Sequence, residues 1–306
     1  SKGRPHSEFN ALKNLKNCSG ASLYTTLEPC THYGKTPPCT YIIKKKKIKN
    51  IFYSFYDPDE RTHKKVKKFL KNSVKLKKID IENKNFYKSY NLNKINKLPL
   101  IDAKIAISKD FFTINKSSKW ITNLRSRRVS HLIRSKYDCI ISTSNSINKD
   151  NSLLNCRIDG LNNNKPDLFI IDLNLKLKKK LLLNNLITKR KTFIVTNRNN
   201  KKKISIYKKL GYKIIFVNRL KNKKDFNLLS NKIYKKGYSR VLIESGLTFL
   251  NFLLDYHLID VLYIFKSNNK LSKNGRNNTS TNNLKKISTK FIQINLNGDK
   301  LLKKEF

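Results

Sequence analysis

Hydrophobic residues fall along the chain in short β-rich runs that alternate with amphipathic helical segments. Phe9, Leu12 and Leu15 recur at helical spacing, and the run ASLYTTLEP that follows is typical of a strand. Two prolines open PPCTYIIKKKK, which predicts a helix start there. NIFYSFYD and VKLKKID are predicted strands, separated by a helix THKKVKKFLKNS with Val66, Phe69 and Leu70 facing inward. This alternation predicts an α/β layered fold.

The pattern weakens in NLNKINKLPL, where Pro99 interrupts it, and we place a linker there. Two domains are therefore predicted, residues 1–95 and 96–306. Beyond the linker the alternation resumes through AKIAIS, CIISTS, DLFIIDL, TFIVTN, YKIIFV, SRVLIESG and VLYIF, which predicts a complete second α/β domain. The polar stretch KSNNKLSKNGRNNTSTNN, residues 266–283, is predicted to be a solvated loop.

The chain is strongly basic, with 67 Lys and Arg against 20 Asp and Glu and a net charge of +47. Such a charge favours a nucleic-acid partner. The lysines are spread evenly, however, and accompany many Asn and Ile residues, which share A/T-rich codons with Lys. We therefore interpret the charge as genome composition and predict no specific nucleic-acid partner, although attraction to anionic small molecules remains.

Cysteine usage indicates the cellular compartment. The 5 cysteines are odd in number and unevenly spaced, which argues against a disulfide framework and for a reducing environment. The sequence shows no signal peptide and no apolar run of transmembrane length. We expect a cytoplasmic protein without a membrane partner.

The segments PHSE and TLEPCTHYGKTPPC contain the residues of a candidate metal site. His6, Cys30 and Cys39 offer one nitrogen and two thiolates, the three protein ligands that a catalytic zinc ion needs. The two prolines place Cys39 in the first turn of a helix, where the helix dipole stabilises a thiolate. Glu8 can converge with His6 only at a helix start, where it can carry a proton. This His-x-Glu and Pro-Cys pattern is typical of zinc deaminases. A structural zinc site with His32 as fourth ligand is the alternative.

The spacing of the cysteines narrows the class of deaminase. Eight residues, THYGKTPP, separate Cys30 from Cys39, whereas deaminases of nucleosides and nucleic acids usually have two. Together with TLEPC and PPC, this loop resembles the deaminase half of the bifunctional riboflavin-biosynthesis deaminase/reductase family (RibD type). The resemblance implies a zinc site at His6, Cys30 and Cys39, Glu8 as the catalytic proton carrier, and Lys35 in contact with a phosphoribosyl-pyrimidine substrate.

The rest of the chain resembles the reductase half of the same family in SKWIT, SHLIRSKYDCII, DNSLLNCR and VLIESGLTFLNFLL. The resemblance implies NADPH as cofactor and a homodimer or higher oligomer. It implies a dihydrofolate-reductase-like C-terminal domain, consistent with the absence of a Gly-x-Gly-x-x-Gly fingerprint. It also implies an N-terminal cytidine-deaminase-like three-layer α/β/α domain, truncated because the family's first helix and strands are not in this sequence.

The resemblance assigns roles to individual residues. Arginine binds phosphate in a bidentate fashion, and a helix start at Gly246 offers N–H groups to an anionic cofactor. The implied substrate-binding residues in this half are Lys104, Ser118, Arg134, Leu154, Arg157 and Glu244. The implied cofactor-binding residues are Ala106, Trp120, Ser146, Asp150, Gly246, Leu247, Thr248, Phe249, Leu250, Asn251 and Phe252.

The segment SKDF departs from the family's Ser-Leu-Asp-Gly. Phe111 replaces a glycine, and because a phenylalanine adopts positive φ only at a cost, we predict that this loop follows another path. Two alternative functions stay open. The basic charge favours a zinc deaminase of RNA or nucleotides, and SKDF favours a decayed, non-catalytic basic binding protein.

Overall fold

The computed structural model describes residues 5–80, 87–161, 166–279, 284 and 292–306. The chain divides into two compact units, Ser1–Asn96 and Lys97–Phe306. The fold is mixed α/β with one large sheet, as the alternating pattern predicts. Within the described residues, no helix is long and apolar enough to span a bilayer.

The first unit contains a three-stranded parallel sheet with strand order β1-β2-β3. Helix α2 begins at Cys39 with Pro38 as its N-cap residue, which confirms the helix start predicted from the two prolines. The inward position predicted for Phe69 is wrong, because a five-residue helix buries only its i, i+4 pair, Val66 and Leu70, and leaves Phe69 51% exposed. The elements are α1 (Ser7–Leu12), β1 (Ser22–Leu27), α2 (Cys39–Lys45), β2 (Asn50–Phe55), α3 (Val66–Leu70), β3 (Lys75–Lys78) and α4 (Lys88–Asn91).

The second unit is built on a nine-stranded sheet and a two-stranded ribbon. Its strands are β4 (Leu100–Ile107), β5 (Phe112–Asn115), β6 (Cys139–Thr143), β7 (Asp167–Ile171), β8 (Thr192–Thr196), β9 (Lys213–Phe216), β10 (Arg240–Glu244), β11 (Val261–Lys266), β12 (Gly275–Asn278), β13 (Ile292–Leu296) and β14 (Asp299–Glu305). The large sheet has the order β13-β14-β11-β4-β10-β6-β7-β8-β9, and β12 pairs with β5. The strands from β11 to β9 in this order are parallel. Strand β14 pairs antiparallel with β11, and β13 pairs antiparallel with β14.

Both faces of the large sheet are buried. Neighbouring residues of one strand belong to different cores: Ile141 lies in one hydrophobic cluster and Ile140 in the other. This arrangement explains why the central strands are continuous hydrophobic runs. The helices of the unit are α5 (Leu124–Arg134), α6 (Ser144–Asp150), α7 (Lys201–Lys209), α8 (Lys223–Lys235) and α9 (Leu247–Asp255).

The polar stretch 266–283 is not a plain loop, which corrects the prediction. Its residues Gly275–Asn278 form β12, which pairs with β5. Asp110 accepts backbone hydrogen bonds from Leu271 and Ser272 and so fixes the preceding turn. A strand of Gly, Arg and Asn residues has no hydrophobic signature, so its formation depends on the partner strand. Residues 280–283 lie outside the described part of the chain.

The prediction for SKDF is also wrong, because Phe111 does adopt a positive φ, +68°. The turn is closed by hydrogen bonds from Phe111 N to the Ser108 carbonyl and from Phe112 N to Ser108 Oγ. Its geometry is that of a three-residue hairpin whose last position is left-handed. The Phe111 ring packs against the core, and Lys266 Nζ lies 4.3 Å from its centre. Packing of the Phe111 ring therefore offsets the conformational strain of its positive φ, and the sequence does not reveal this packing.

Candidate active site

In the first unit, the structure brings His6, Cys30 and Cys39 together. Nδ1 of His6 lies 3.4 Å from Sγ of Cys30 and 3.3 Å from Sγ of Cys39, and the three atoms all lie within 4.8 Å of one another. Tetrahedral zinc with two thiolates and one imidazole needs ligand atoms roughly 3.5 to 3.8 Å apart. The donor set therefore fits zinc with small adjustments.

Local electrostatics distinguish the two thiols. A hydrogen bond from the Cys39 side chain, assisted by the backbone N–H of Cys39 and the charge of His6, lowers the pKa of Cys30 to about 6 against the effect of burial. The same hydrogen bond, with burial and the nearby Glu8, raises the pKa of Cys39. Glu8 therefore lies beside the thiol pair. It occupies the first turn of α1, whose N-cap residue is His6, so the helix start makes the His-x-Glu pair converge.

His32 lies apart from this group. Nδ1 of His32 is 3.0 Å from Oγ1 of Thr62, and His32 is not part of the metal-ligating group found among the described residues. Three ligands without a fourth protein group are typical of a catalytic zinc site rather than a structural one. Lys35 is exposed in the loop between the two cysteines.

In the second unit, the predicted residues collect where three neighbouring parallel strands end. Lys104 pairs in register with Glu244, the last residue of β10, and Ala106 follows on β4. Helix α6, which carries Ser146, starts directly after β6. Because ligands of open α/β sheets bind at the carboxyl ends of the strands, this edge is the natural place for a site.

Glu244 is the centre of a buried charge cluster. Its carboxylate accepts hydrogen bonds from Arg134 Nε at 2.6 Å and Nη2 at 2.8 Å, and Lys104 Nζ lies 2.7 Å from Oε2. Burial alone would raise the pKa of Glu244, but the charges of Arg134 and Lys104 hold that pKa well below its usual range. The three side chains thus form one ionised group, and the guanidinium of Arg134 is already engaged in it.

Arg157 has a different environment from Arg134. Its Nη1 donates to Asn155 Oδ1 at 2.8 Å and its Nη2 lies 3.0 Å from Nε2 of His131. Within the described part of the chain, no carboxylate forms an ion pair with Arg157. Arg157 is also exposed, so its charge remains available to an anion.

The predicted cofactor residues meet at the start of α9. Gly246 is the N-cap residue, its N–H donates to Ser146 Oγ at 2.9 Å, and no side chain among the described residues caps the helix. A Cβ on Gly246 would lie 3.4 Å from Ser146 Oγ, which is a close van der Waals contact. Leu247, Thr248 and Asn251 remain at least partly exposed on the first turns.

Several other predicted contact residues point into the core. Leu250 is 2% exposed and Leu154 6%, both as members of hydrophobic clusters. Phe249 and Phe252 stack with ring centres 5.9 Å apart and pack against the first cluster. These residues can offer only backbone atoms or small parts of their side chains to a ligand.

Trp120 lies on the surface, 47% exposed, with the guanidinium of Arg127 4.7 Å from its ring centre. Ser118 Oγ accepts a hydrogen bond from the Trp120 N–H. The surrounding protein raises the pKa of Asp150 by desolvation, although its side chain still reaches solvent, while Lys149, Lys119 and Lys104 oppose this shift. Asp150 is therefore electrostatically linked to Lys104 and to the Trp120 segment.

The RibD C-terminal domain family matches residues 99–284, which is more than half of the chain. The chain belongs to this family. It is 29% identical over 273 residues to the riboflavin biosynthesis protein RibD of Aquifex aeolicus, covering 86% of this chain and 74% of that protein. A structure of RibD from Acinetobacter baumannii superposes with a TM-score of 0.79 at 23% identity, over 98% of this chain and 85% of that one. The resemblance to the RibD type is thus confirmed.

A second solved structure concerns the reductase half by itself. The riboflavin biosynthesis reductase Rib7 of Saccharomyces cerevisiae superposes with a TM-score of 0.55 at 17% identity, covering 72% of this chain and 99% of that one. At this identity the likeness shows the fold alone. The roles assigned to individual residues of the RibD-type chain stay predictions.

Sequence reasoning missed two contributors to the site. His131 lies one turn before Arg134 on α5, and Asn155 supplies both its carbonyl and its amide to the arginines. The i, i+3 spacing of His131 and Arg134 was a usable signal, since such residues share a helix face. The carbonyl of Asn155 carries no signal in the sequence.

Proposed function

We propose that the second unit is an NADPH-dependent reductase of riboflavin biosynthesis, with a dihydrofolate-reductase-like fold. It would reduce the ribosyl group of 5-amino-6-(5-phosphoribosylamino)uracil to a ribityl chain. The observation that carries the proposal is the cluster of Lys104, Arg134 and Glu244 at the carboxyl edge of the sheet in a member of the RibD C-terminal domain family. A structure from Thermotoga maritima named as a diaminohydroxyphosphoribosylaminopyrimidine deaminase/5-amino-6-(5-phosphoribosylamino)uracil reductase supports the fold.

The residues present fit a phosphorylated cofactor and substrate. The uncapped first turn of α9, opened by Gly246, offers N–H groups to an anionic cofactor. NADPH bound there would supply the hydride. Lys104 and Asp150 are the candidates for supplying the proton to the sugar oxygen, because both face the same edge. Arg157 would bind the substrate phosphate. Positioning of donor and acceptor is then the main catalytic device.

The test is turnover of the phosphoribosyl substrate, followed by the loss of NADPH absorbance and by mass spectrometry of the product. We expect a product heavier by two hydrogen atoms and NADPH consumption only with substrate present. Gly246→Ala should raise the KM for NADPH while leaving the KM for the pyrimidine substrate near its original value. Absence of NADPH consumption by the unmodified chain would refute the proposal.

We also propose, as a second function, hydrolytic deamination by the first unit, with a cytidine-deaminase-like fold. The cluster of His6, Cys30 and Cys39 favours it, because these three side chains fit a catalytic zinc ion. Zinc in such a set supplies a hydroxide nucleophile near neutral pH. Glu8, beside Cys39, would carry the proton to the leaving amine. The proposed substrate is 2,5-diamino-6-(5-phosphoribosylamino)pyrimidin-4-one, with Lys35 in the loop that faces it.

Ammonia release from this substrate by the zinc-loaded chain tests the deaminase proposal independently of NADPH. Glu8→Gln should abolish ammonia release and leave zinc content unchanged. NADPH consumption should also be unchanged when 5-amino-6-(5-phosphoribosylamino)uracil is supplied directly. Salt-sensitive RNA binding without zinc, ammonia release or NADPH consumption would instead favour a basic binding protein.

A further inference from the structure

We propose that His131 and Asn155 form a neutral bracket that holds Arg157 in position for the substrate phosphate. This inference rests on the proposed reductase function and deepens it, because it names the residues that position the phosphate-binding arginine.

The contacts of His131 define its tautomer. Nδ1 lies 2.9 Å from the Asn155 carbonyl, which only accepts hydrogen bonds, and 3.4 Å from Nη1 of Arg134, which only donates. Because the contact with the carbonyl is the shorter one by half an ångström, Nδ1 carries a proton. Nε2 lies 3.0 Å from Nη2 of Arg157, which only donates, so Nε2 carries no proton. His131 is therefore a neutral imidazole that donates on one side and accepts on the other.

The surrounding charges keep His131 in this form. Burial and the two guanidinium groups of Arg134 and Arg157 lower the pKa of His131 to about 4, opposed by the contact with the Asn155 carbonyl and by Glu244. Protonation would remove the acceptor of Arg157 and place a third positive charge between two others. The imidazole thus stays neutral at the pH of an ordinary assay.

Asn155 completes the bracket from the other side. Its carbonyl accepts from both His131 Nδ1 and Arg134 Nη1, the latter at 3.0 Å, and its side-chain oxygen accepts from Arg157 Nη1 at 2.8 Å. Asn155 is 6% exposed, so its position is fixed by the surrounding protein. Arg157 is consequently held by two neutral acceptors, one at each terminal nitrogen.

The two arginines differ in charge compensation. Arg134 is 9% exposed and shares a bidentate contact with Glu244, so a phosphate approaching it would compete with a buried carboxylate. Arg157 is oriented by neutral groups and keeps its full charge, which is what recognition of a phosphate dianion requires. The geometry therefore favours Arg157 as a phosphate-binding group that His131 and Asn155 hold in place.

The experiment compares His131→Asn with His131→Gln in the full chain. Asparagine keeps a donor near Nδ1 for the Asn155 carbonyl but is too short to reach Arg157, whereas glutamine places its amide near Nε2. His131→Asn should raise the KM for the phosphoribosyl substrate about tenfold, the effect of losing a hydrogen bond to a charged group, with kcat changed far less. His131→Gln should recover most of the affinity. A third variant, Arg157→Lys, keeps the charge but loses the fork of donors. Its matched control is Arg128→Lys, which changes an exposed arginine on α5, the helix that carries His131.

A binding assay separates this inference from the proposed function. Calorimetry should show that His131→Asn and Arg157→Lys each weaken the binding of ribose 5-phosphate but not that of ribose. In the double variant, the two losses of binding free energy should not add. The inference is overturned if ribose 5-phosphate binds both variants as tightly as it binds Arg128→Lys. It is also overturned if His131→Asn and His131→Gln are equally impaired. Failure of the unmodified chain to consume NADPH would instead overturn the reductase proposal, and the calorimetry would still decide the role of His131.

Discussion

Glu244 accepts two hydrogen bonds from Arg134, from Nε at 2.6 Å and from Nη2 at 2.8 Å, where neither side chain is more than 11% exposed. The pair joins α5 to the last residue of β10, and Lys104 on β4 adds a third charge from the neighbouring strand. The two cations keep the Glu244 carboxylate ionised, and among the described residues it is the only carboxylate that forms ion pairs with them. The stability of the carboxyl edge of the sheet therefore depends on this carboxylate.

Glu244→Gln should therefore destabilise the second unit. The substitution removes the anion and leaves the two cations of Arg134 and Lys104 buried, which costs about 3 kcal/mol of unfolding free energy. Urea unfolding followed by circular dichroism measures the change. Glu305→Gln is the control, because its ion pair with Lys303 is exposed and should contribute less than about 1 kcal/mol. Equal losses in the two variants would contradict this account.

The elements that sequence patterns predicted well are those with a strong local signal. Pro37 and Pro38 located the start of α2, and with it the position of Cys39. The hydrophobic runs CIISTS, DLFIIDL and TFIVTN predicted strands, and the structure has β6, β7 and β8 there, buried on both faces. His6, Cys30 and Cys39 were recognised as a group from residue type and spacing, and the structure places their ligand atoms together.

What the sequence could not supply depends on contacts between distant segments. Strand β12 has no hydrophobic pattern and exists because β5 pairs with it. The partners of His131 and Arg157 are set by Asn155, which lies 24 residues from His131. Some residues to which the family resemblance gives a binding role, such as Leu250, have side chains that face the core. Which of their atoms a ligand can reach is known only from the fold.

The turn at Phe111 allows the cost of its positive φ to be measured apart from its packing. Phe111→Gly and Phe111→Ala both remove the ring and its contact with Lys266, so the difference between them reports the backbone alone. We expect the glycine variant to be the more stable by about 1 kcal/mol, because an L-residue is strained in the left-handed region.

The exposed neighbour Lys109 supplies the matched control for this comparison. Its φ is not positive, so Lys109→Ala should be more stable than Lys109→Gly, the reverse order. Denaturant midpoints of the four variants decide the matter. If alanine is more stable than glycine at position 111 as well, the backbone of Phe111 is not strained.

Zinc content should depend on Cys30 and not on Cys18, although both thiols are buried in the same hydrophobic cluster. Cys30→Ser should reduce bound zinc from about one ion per chain to a trace, because two ligands do not hold the metal firmly. Cys18→Ser should retain it. Atomic emission after gel filtration measures the metal. Retention of zinc by Cys30→Ser would exclude the group formed with His6 and Cys39 as the binding site.

Protonation of His131 should make the second unit less stable at acid pH. Because its pKa is lowered from 6.5 to about 4 on folding, the unfolded chain binds the proton more readily between these values. The stabilisation is therefore complete above pH 6.5 and is lost as the pH falls towards 4. Burial is the largest cause of the lowered pKa, and the charges of Arg134 and Arg157 add to it, while Glu244 opposes it.

His131→Gln removes the titrating group while keeping an acceptor for Arg157, so its urea midpoint should fall less steeply than that of the unmodified chain over this pH range. The size of the difference is reduced by solvent, because His131 is only half-buried. Titration of the His131 imidazole by NMR gives its pKa directly. A pKa near 6.5 for His131 would mean that its nitrogens do not hold the contacts with Asn155 and Arg157. The same conclusion would follow if the urea midpoints of His131→Gln and of the unmodified chain fell equally steeply with falling pH.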